Sequence, residues 1–174
     1  ESEGTYPLPE AQVDRFMMKV VVGYPTATEE FVIVERAISP APLNQAVVDP
    51  ERLIEMQAQV EQVYVDPALI EYSVRLANAT RRPVDVGLGE LAKYISFGAS
   101  PRASINLILA ARALAFIRGR DYVLPPDVTE LALDVLRHRL VLSYEALSDE
   151  ITADAVLTRV LAELPAPDAM LSKT

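Results

Sequence analysis

The sequence contains no cysteine and no tryptophan, and its only histidine is His138. The missing cysteines exclude disulfides, thiolate catalysis and cysteine-ligated zinc. A single histidine argues against a histidine-rich metal site, so we expect no metal ligands in the chain. No apolar run reaches the roughly 18 residues that a membrane span needs, and no basic segment followed by an apolar one opens the chain. These absences predict a cytoplasmic protein without membrane insertion.

Basic residues are scarce as well. The chain has 16 Lys and Arg against 25 Asp and Glu, a formal net charge of −9. Because an acidic chain repels phosphodiester backbones, we expect no nucleic-acid partner. Hydrophobic residues make up 51% of the sequence but aromatic residues only 6%, which is typical of a core of packed helices built from Ala, Leu, Val and Ile.

A phosphate-binding loop is also missing from the sequence. Such a loop needs Gly-Lys-Ser/Thr after a glycine-rich turn, because backbone amides cradle the phosphates while the lysine reaches the terminal one. The three lysines follow Met, Ala and Ser, and the only Asp-Glu pair, Asp149-Glu150, does not follow a buried strand. The chain alone is therefore not expected to hydrolyse a nucleotide.

The beginning of the chain predicts a short helix and a strand. Pro9 stands at the first position of a helix that should end near Arg15. The β-branched run from Met17 to Val22 is typical of a strand buried on both faces. Such strands belong to larger sheets, and the best partner in the chain is the short run Leu140 to Leu142. We therefore expect residues 1–24 to be the end of an α/β domain whose other strands precede residue 1.

The chain from residue 25 to about residue 165 predicts a helical domain of about six helices, followed by a flexible tail at 166–174. A short helix is predicted from Gly89 to Phe97. Side chains that cap helices mark the other starts, because they accept hydrogen bonds from the free amides of the first turn. These caps are Thr26 with Glu29 in a capping box, Asp49, Asp66, Ser100 and Thr152, and Pro125 opens one further helix.

Two apolar stripes predict which helix faces are buried. The first stripe comprises Phe31, Val34 and Ile38. The second lies on the helix that begins at Pro101, and its members are Ile105, Ile108, Leu109, Ala113, Phe116 and Ile117.

The start of the helix at Pro101 carries the clearest chemical signal. Arg102 stands at the second helical position, where the dipole is already positive, so an uncompensated cation costs about 0.3–1 kcal/mol. An anion held by the free amides and the guanidinium would compensate. Alternatively, Arg102 lies on the surface with its stem packed sideways. These residues alone leave both interpretations open.

The other polar candidates have ordinary explanations. Arg15 falls in the last turn of a short helix beside Asp14, which is favourable without any ligand. His138 is flanked by Arg137 and Arg139, which predicts a surface or hydrogen-bonding histidine rather than a catalytic one.

Taken together, four segments resemble the MoxR-type AAA+ ATPases. Glu3 to Phe16 is similar to the segment that runs from sensor 1 into the arginine-finger helix, and Gly98 to Ala103 is similar to sensor 2. Gly119 to Val123, together with Val135 to Leu140, resembles the lid. The resemblance implies a mainly α chain, in which a helical AAA+ lid bundle follows a short helix–strand remnant of a truncated α/β ATPase core.

The resemblance also implies roles for two residues. Arg15 would be the arginine finger, which enters the ATP site of a neighbouring subunit. Arg102 would be the sensor 2 arginine, which contacts the γ-phosphate. Both would supply positive charge where it is needed in phosphoryl transfer. The Walker A, Walker B and sensor 1 residues would precede residue 1.

For the whole protein the resemblance implies ATP and Mg²⁺ as cofactors, with none expected on this chain alone. It further implies a homo-oligomer, typically a hexamer, that acts in chaperone-like maturation or metal insertion, often beside proteins with von Willebrand A domains. An alternative is a non-enzymatic helical module that binds proteins. A third, helix-turn-helix interpretation depends on Arg112, Arg118 and Arg120, and the net charge of −9 opposes it.

Overall fold

The computed structural model describes residues 8–40 and 44–168. The predicted tail beyond residue 168 and the beginning of the segment that resembles the arginine-finger region, Glu3 to Pro7, lie outside the described residues. Short 3-10 turns occupy Pro83–Val86, Gly89–Tyr94 and Arg137–Arg139. The helices are α1 (Glu10–Val13), α2 (Ala27–Ile38), α3 (Pro50–Glu61), α4 (Pro67–Arg81), α5 (Pro101–Ile117), α6 (Pro125–Leu136), α7 (Tyr144–Ser148) and α8 (Ala153–Glu163), and the strands are β1 (Ile95–Phe97) and β2 (Val141–Leu142).

The core lies between α4, α5, α6 and α8. Helix α5 packs against both α4 and α6, and α8 packs against the same two helices. Each contributes a fully buried leucine, namely Leu76, Leu107, Leu136 and Leu157. Burial of one such side chain stabilises the fold by about 1.5–3 kcal/mol. The prediction of a mainly α, lid-type helical bundle is confirmed. Within the described residues, no helix combines the length and the apolar character needed to cross a bilayer.

Helix α5 buries a different face from the one predicted. Ile105, Leu109 and Ile117 are exposed, whereas Ile108 and Phe116 are only partly buried against the core. The prediction was wrong because α5 is apolar on nearly every side, so periodicity does not single out one face. The buried face of α5 consists mainly of small side chains, which allow α4 and α6 to pack close to α5. Its residues are Ala103, Leu107, Ala110, Ala111 and Ala115.

The predicted helix starts are confirmed by their hydrogen bonds. The hydroxyls of Thr26 and Thr152 accept from Glu29 N and Ala155 N. The carboxylates of Asp49 and Asp66 accept in the same way at the starts of α3 and α4. Helix α7 was not predicted. It begins after Ser143, whose hydroxyl accepts from Ala146 N at 3.2 Å.

The strand predicted from Met17 to Val22 does not form within the described residues. Its expected partner in the chain, the run around Val141–Leu142, pairs instead with β1 in an antiparallel two-stranded sheet. The valines Val20, Val21 and Val22 are 60%, 64% and 88% exposed. A β-branched run forms a strand only where a neighbouring strand completes its backbone hydrogen bonds, and no described strand lies beside it.

Three smaller predictions also need correction. Helix α1 ends at Val13 rather than near Arg15. Residues 89–97 form a 3-10 turn and β1 instead of one helix, because Ile95–Phe97 pairs with β2. Helix α2 forms, but Phe31 is 68% exposed and none of the residues of α2 is buried, so its apolar stripe faces no described element. The predicted domain boundaries, between residues 24 and 25 and between residues 165 and 166, stay predictions.

Candidate functional site

The start of α5 is fixed against the end of α4. Gly98 lies so close to the α4 backbone that a Cβ at this position would be 2.5 Å from the carbonyl oxygen of Thr80. The next amide, Ala99 N–H, donates to Thr80 Oγ1 at 2.9 Å, and both groups are buried. The last turn of α4 therefore determines where the N-terminus of α5 lies.

The carboxylate of Asp14, the residue that follows α1, lies at the N-terminus of α5. Ser100 Oγ accepts a hydrogen bond from Arg102 N at 3.2 Å and donates to the carboxylate of Asp14, lying 2.9 Å from each of its oxygens. Arg102 Nη1 donates to Asp14 Oδ2 at 2.9 Å. Of the two interpretations that the sequence left open for Arg102, the structure shows an anion beside it, and this anion is a carboxylate of the protein itself.

A second arginine, Arg139, lies beside the same carboxylate. The side chain of Arg139 is 0% exposed, and its Nε lies 3.3 Å from Asp14 Oδ1. Its Nη2 donates to the backbone oxygen of Asp14 at 3.0 Å. Burial acts to raise the pKa of Asp14, but the hydrogen bonds from Arg102 and Ser100 and the charge of Arg139 outweigh burial and lower it. Asp14 is therefore a carboxylate at neutral pH.

The run Arg137-His138-Arg139 holds the backbone that follows Asp14. Arg137 Nη1 donates to the carbonyl of Lys19 at 2.8 Å, and Arg139 Nη1 donates to that of Met17 at 3.2 Å. His138 Nε2 lies 3.1 Å from the carbonyl of Phe16. Burial lowers the pKa of His138, although this hydrogen bond acts to raise it. The predicted hydrogen-bonding role of His138 is confirmed.

Arg15 and Arg102 are brought to the same part of the molecule by Asp14. Arg15 is exposed and follows Asp14 directly, so their Cα atoms are about 3.8 Å apart. Arg102 is 54% exposed in its side chain and bonds to that same Asp14. The roles of Arg15 as finger and Arg102 as sensor 2 stay predictions. Sequence reasoning paired Asp14 with its neighbour Arg15, and no local signal indicated its contact with α5.

Two of the three arginines on which a helix-turn-helix interpretation depended, Arg118 and Arg120, form ion pairs with carboxylates of α6. Arg120 forms a two-bond fork with Asp127, with both distances 2.7 Å. Arg118 Nη1 donates to Asp127 at 3.0 Å and its Nη2 to Glu130 at 2.8 Å. These bonds connect the α5–α6 turn to the first two turns of α6. Among the described residues, no three metal-ligating side chains form a cluster.

Comparisons with known proteins agree with this architecture. The family described as AAA lid domain matches residues 91–160. Chaperone MoxR1 of Mycobacterium tuberculosis is 48% identical over 167 residues, which cover 96% of this chain and 44% of that protein. Protein MoxR of Paracoccus denitrificans is 34% identical, over 97% of this chain and 54% of that protein. The chain belongs to the MoxR family of AAA+ ATPases.

A solved structure supports the same assignment. The crystal structure of a candidate ATPase from Cytophaga hutchinsonii superimposes on this MoxR-family chain with a TM-score of 0.90 and 41% identity, covering 97% of this chain and 52% of that one. The chain thus spans about half the length of the relatives that it matches. The lid match at 91–160 contains Arg102 and Arg139 but neither Asp14 nor Arg15.

Proposed function

We propose that this chain is the C-terminal part of a MoxR-like ATPase that couples ATP hydrolysis to chaperone-like maturation or metal insertion. Within it, Arg102 acts as sensor 2 and Arg15 as the arginine finger. One observation carries the proposal: a half-exposed guanidinium stands at the N-terminus of α5 and already binds an oxyanion there. The name of the relative Chaperone MoxR1 supports the chaperone-like role.

The donors around Arg102 fit a phosphate. The Ser100 hydroxyl and the planar guanidinium of Arg102 both donate to a carboxylate here, and hydroxyl and guanidinium donors bind phosphate oxygens in proteins in the same way. The guanidinium does not fit Mg²⁺, because it is itself a cation and has no acceptor atom to offer to a metal that takes oxygen ligands. We therefore assign the γ-phosphate of ATP to Arg102, and we assign Mg²⁺ and the other phosphates to residues outside this chain.

Arg15 fits a role at a subunit boundary. Its side chain is exposed, and the backbone beside it is held by the buried Arg139 through the carbonyl of Asp14. An arginine finger needs this combination, because the guanidinium must reach a neighbouring subunit while its backbone stays in place. The finger requires a homo-oligomer, for which we propose a hexamer.

The remaining partners are proposed from the family resemblance. We propose proteins with von Willebrand A domains as associates, a cytoplasmic location and no nucleic-acid partner. The pairing of Arg118 and Arg120 with Asp127 supports the last point, because these guanidinium charges are already compensated.

The experiment that tests these roles is steady-state ATPase activity with nucleotide affinities in the full-length protein. Arg15→Ala should leave ATP affinity unchanged and lower hydrolysis by about 10³–10⁵, the magnitude of arginine fingers. Arg102→Ala should narrow the affinity gap between ATP and ADP, since it removes a γ-phosphate contact. Lysine at either position should restore little, because an ammonium does not reproduce a planar fork.

A mixing experiment separates the two halves of the site. Arg15→Ala subunits mixed with subunits that lack the Walker A lysine should regain part of the activity, because each variant lacks a different half. Arg52→Ala is the matched control, since Arg52 is an exposed arginine whose partner is Glu55 on its own helix. If Arg15→Ala and Arg102→Ala both hydrolyse ATP at the parental rate with parental affinities, the nucleotide roles are wrong and the protein-binding module becomes the better explanation.

A further inference from the structure

Three side chains of the lid surround one carboxylate, two as hydrogen-bond donors and one as an ion-pair partner. Ser100 Oγ and Arg102 Nη1 each lie 2.9 Å from Asp14, and Arg139 Nε lies 3.3 Å from it. Asp14 is only 17% exposed. The Asp14 carboxylate therefore accepts hydrogen bonds from the Ser100 hydroxyl and the Arg102 guanidinium. A phosphate oxygen bound at this position would accept from the same two groups.

The two arginines around Asp14 differ in their freedom to move. Arg139 is 0% exposed and also donates to the backbone oxygens of Asp14 and Met17. The side chain of Arg102 is 54% exposed, and among the described residues its guanidinium donates a hydrogen bond to Asp14 only. Arg102 can leave Asp14 by a change of rotamer, whereas Arg139 stays and keeps the carboxylate compensated.

We propose that Asp14 is a positioning residue: the internal anion from which Arg102 must be released to bind the γ-phosphate. The inference rests on the proposed role of Arg102 as sensor 2. Because Asp14 directly follows α1 and directly precedes Arg15, the exchange links the phosphate state at Arg102 to the segment that carries the proposed finger. A ligand shifts such an equilibrium only by its differential affinity for the two states, and ADP lacks the phosphate that would release Arg102.

The first test compares the affinities of the full-length protein for ADP and for a slowly hydrolysed ATP analogue, measured by calorimetry. Asp14→Asn keeps the shape of the side chain and removes the competing charge. The preference for the ATP analogue over ADP should then rise by about two- to fivefold, the range for a partly exposed ion pair. Asp14→Glu retains the charge and should stay nearer to the parental preference than Asp14→Asn.

The double variant Asp14→Asn/Arg102→Ala decides whether the effect passes through Arg102. It should show the same nucleotide preference as Arg102→Ala alone. A merely structural role of Asp14 would lower stability or turnover without raising the preference for the triphosphate. An unchanged or lowered preference in Asp14→Asn, or an equal rise in the absence of Arg102, would overturn the inference.

A second measurement keeps the inference testable if Asp14→Asn does not fold. Arg102 is half exposed, so Arg102→Ala should fold normally. In nucleotide-free protein this variant should raise amide hydrogen exchange at residues 10–17, because α1 loses one of its attachments to α5. Unchanged exchange at these residues would contradict the coupling. If instead Arg102→Ala leaves the preference for the ATP analogue at the parental value, the proposed function fails, whatever Asp14→Asn does.

Discussion

Removal of the charge of Asp127 should be among the most damaging single changes in the lid. Its carboxylate is 1% exposed and accepts hydrogen bonds from Arg120, Arg118 and the backbone N–H of Leu124. Loss of one partner from a buried ion pair costs about 3–5 kcal/mol. Because Arg120 and Arg118 are 19% and 39% exposed and recover some hydration, we expect Asp127→Asn to lower the free energy of unfolding by about 2–4 kcal/mol.

Urea unfolding of the purified chain, followed by circular dichroism, measures this loss. Glu130→Gln is the matched control, because Glu130 bonds to the same Arg118 but is 54% exposed, and surface pairs contribute little. The midpoint should fall strongly for Asp127→Asn and hardly for Glu130→Gln, with the slope against urea unchanged. A free energy of unfolding for Asp127→Asn equal to that of the parent at pH 7 would refute the reasoning.

The pH dependence gives an independent check of the same pair. Burial acts to raise the pKa of Asp127, but the hydrogen bonds from Arg120, Leu124 N and Arg118 outweigh burial and lower it. A lowered pKa in the folded state gives stability that is fully present above the unfolded pKa of about 3.9 and is lost as the pH falls through the folded value. The difference between the parent and Asp127→Asn should therefore be constant from about pH 7 to pH 5 and shrink below about pH 4.

Two further predictions concern the attachment of α5 to α4. Gly98→Ala should lower the free energy of unfolding by about 1–3 kcal/mol, because its Cβ would lie 2.5 Å from the carbonyl oxygen of Thr80. Gly23→Ala is the control: no atom lies within 4 Å of its new Cβ, so the urea midpoint should not change. Thr80→Val should cost about 1–3 kcal/mol in the same assay, because the buried Ala99 N–H loses its acceptor. Thr158→Val, at an exposed helix position, is the control, and equal effects at the two threonines would argue against a buried amide as the cause.

Local sequence signals were sufficient for the start of α5 but not for its surroundings. The Ser100 cap and Pro101 at the first helical position predicted the helix correctly, because capping depends on residues next to one another. The dipole argument also indicated an anion beside Arg102 as one of two interpretations. It did not identify Asp14, which is 88 residues away in sequence, since a contact at that distance depends on how α1 packs against the lid.

The two larger errors have different physical causes. The buried face of α5 could not be predicted because the helix is apolar almost all round, and alanines such as Ala103 and Ala111 pack inward for their small size rather than their hydrophobicity. The strand at Met17 to Val22 did not form because strand formation depends on a paired neighbour, which the pattern of one segment does not supply.

The attachment of the segment after Asp14 depends on backbone carbonyls rather than on side chains. Arg137, His138 and Arg139 bind the carbonyl oxygens of residues 16, 17 and 19, which every amino acid supplies. Evolution could therefore replace Phe16, Met17 and Lys19 freely without weakening this attachment. An insertion or deletion between residues 14 and 19 would weaken the attachment, because it would displace these carbonyl oxygens from the three side chains that bind them. This stretch is thus constrained in length more strongly than in composition.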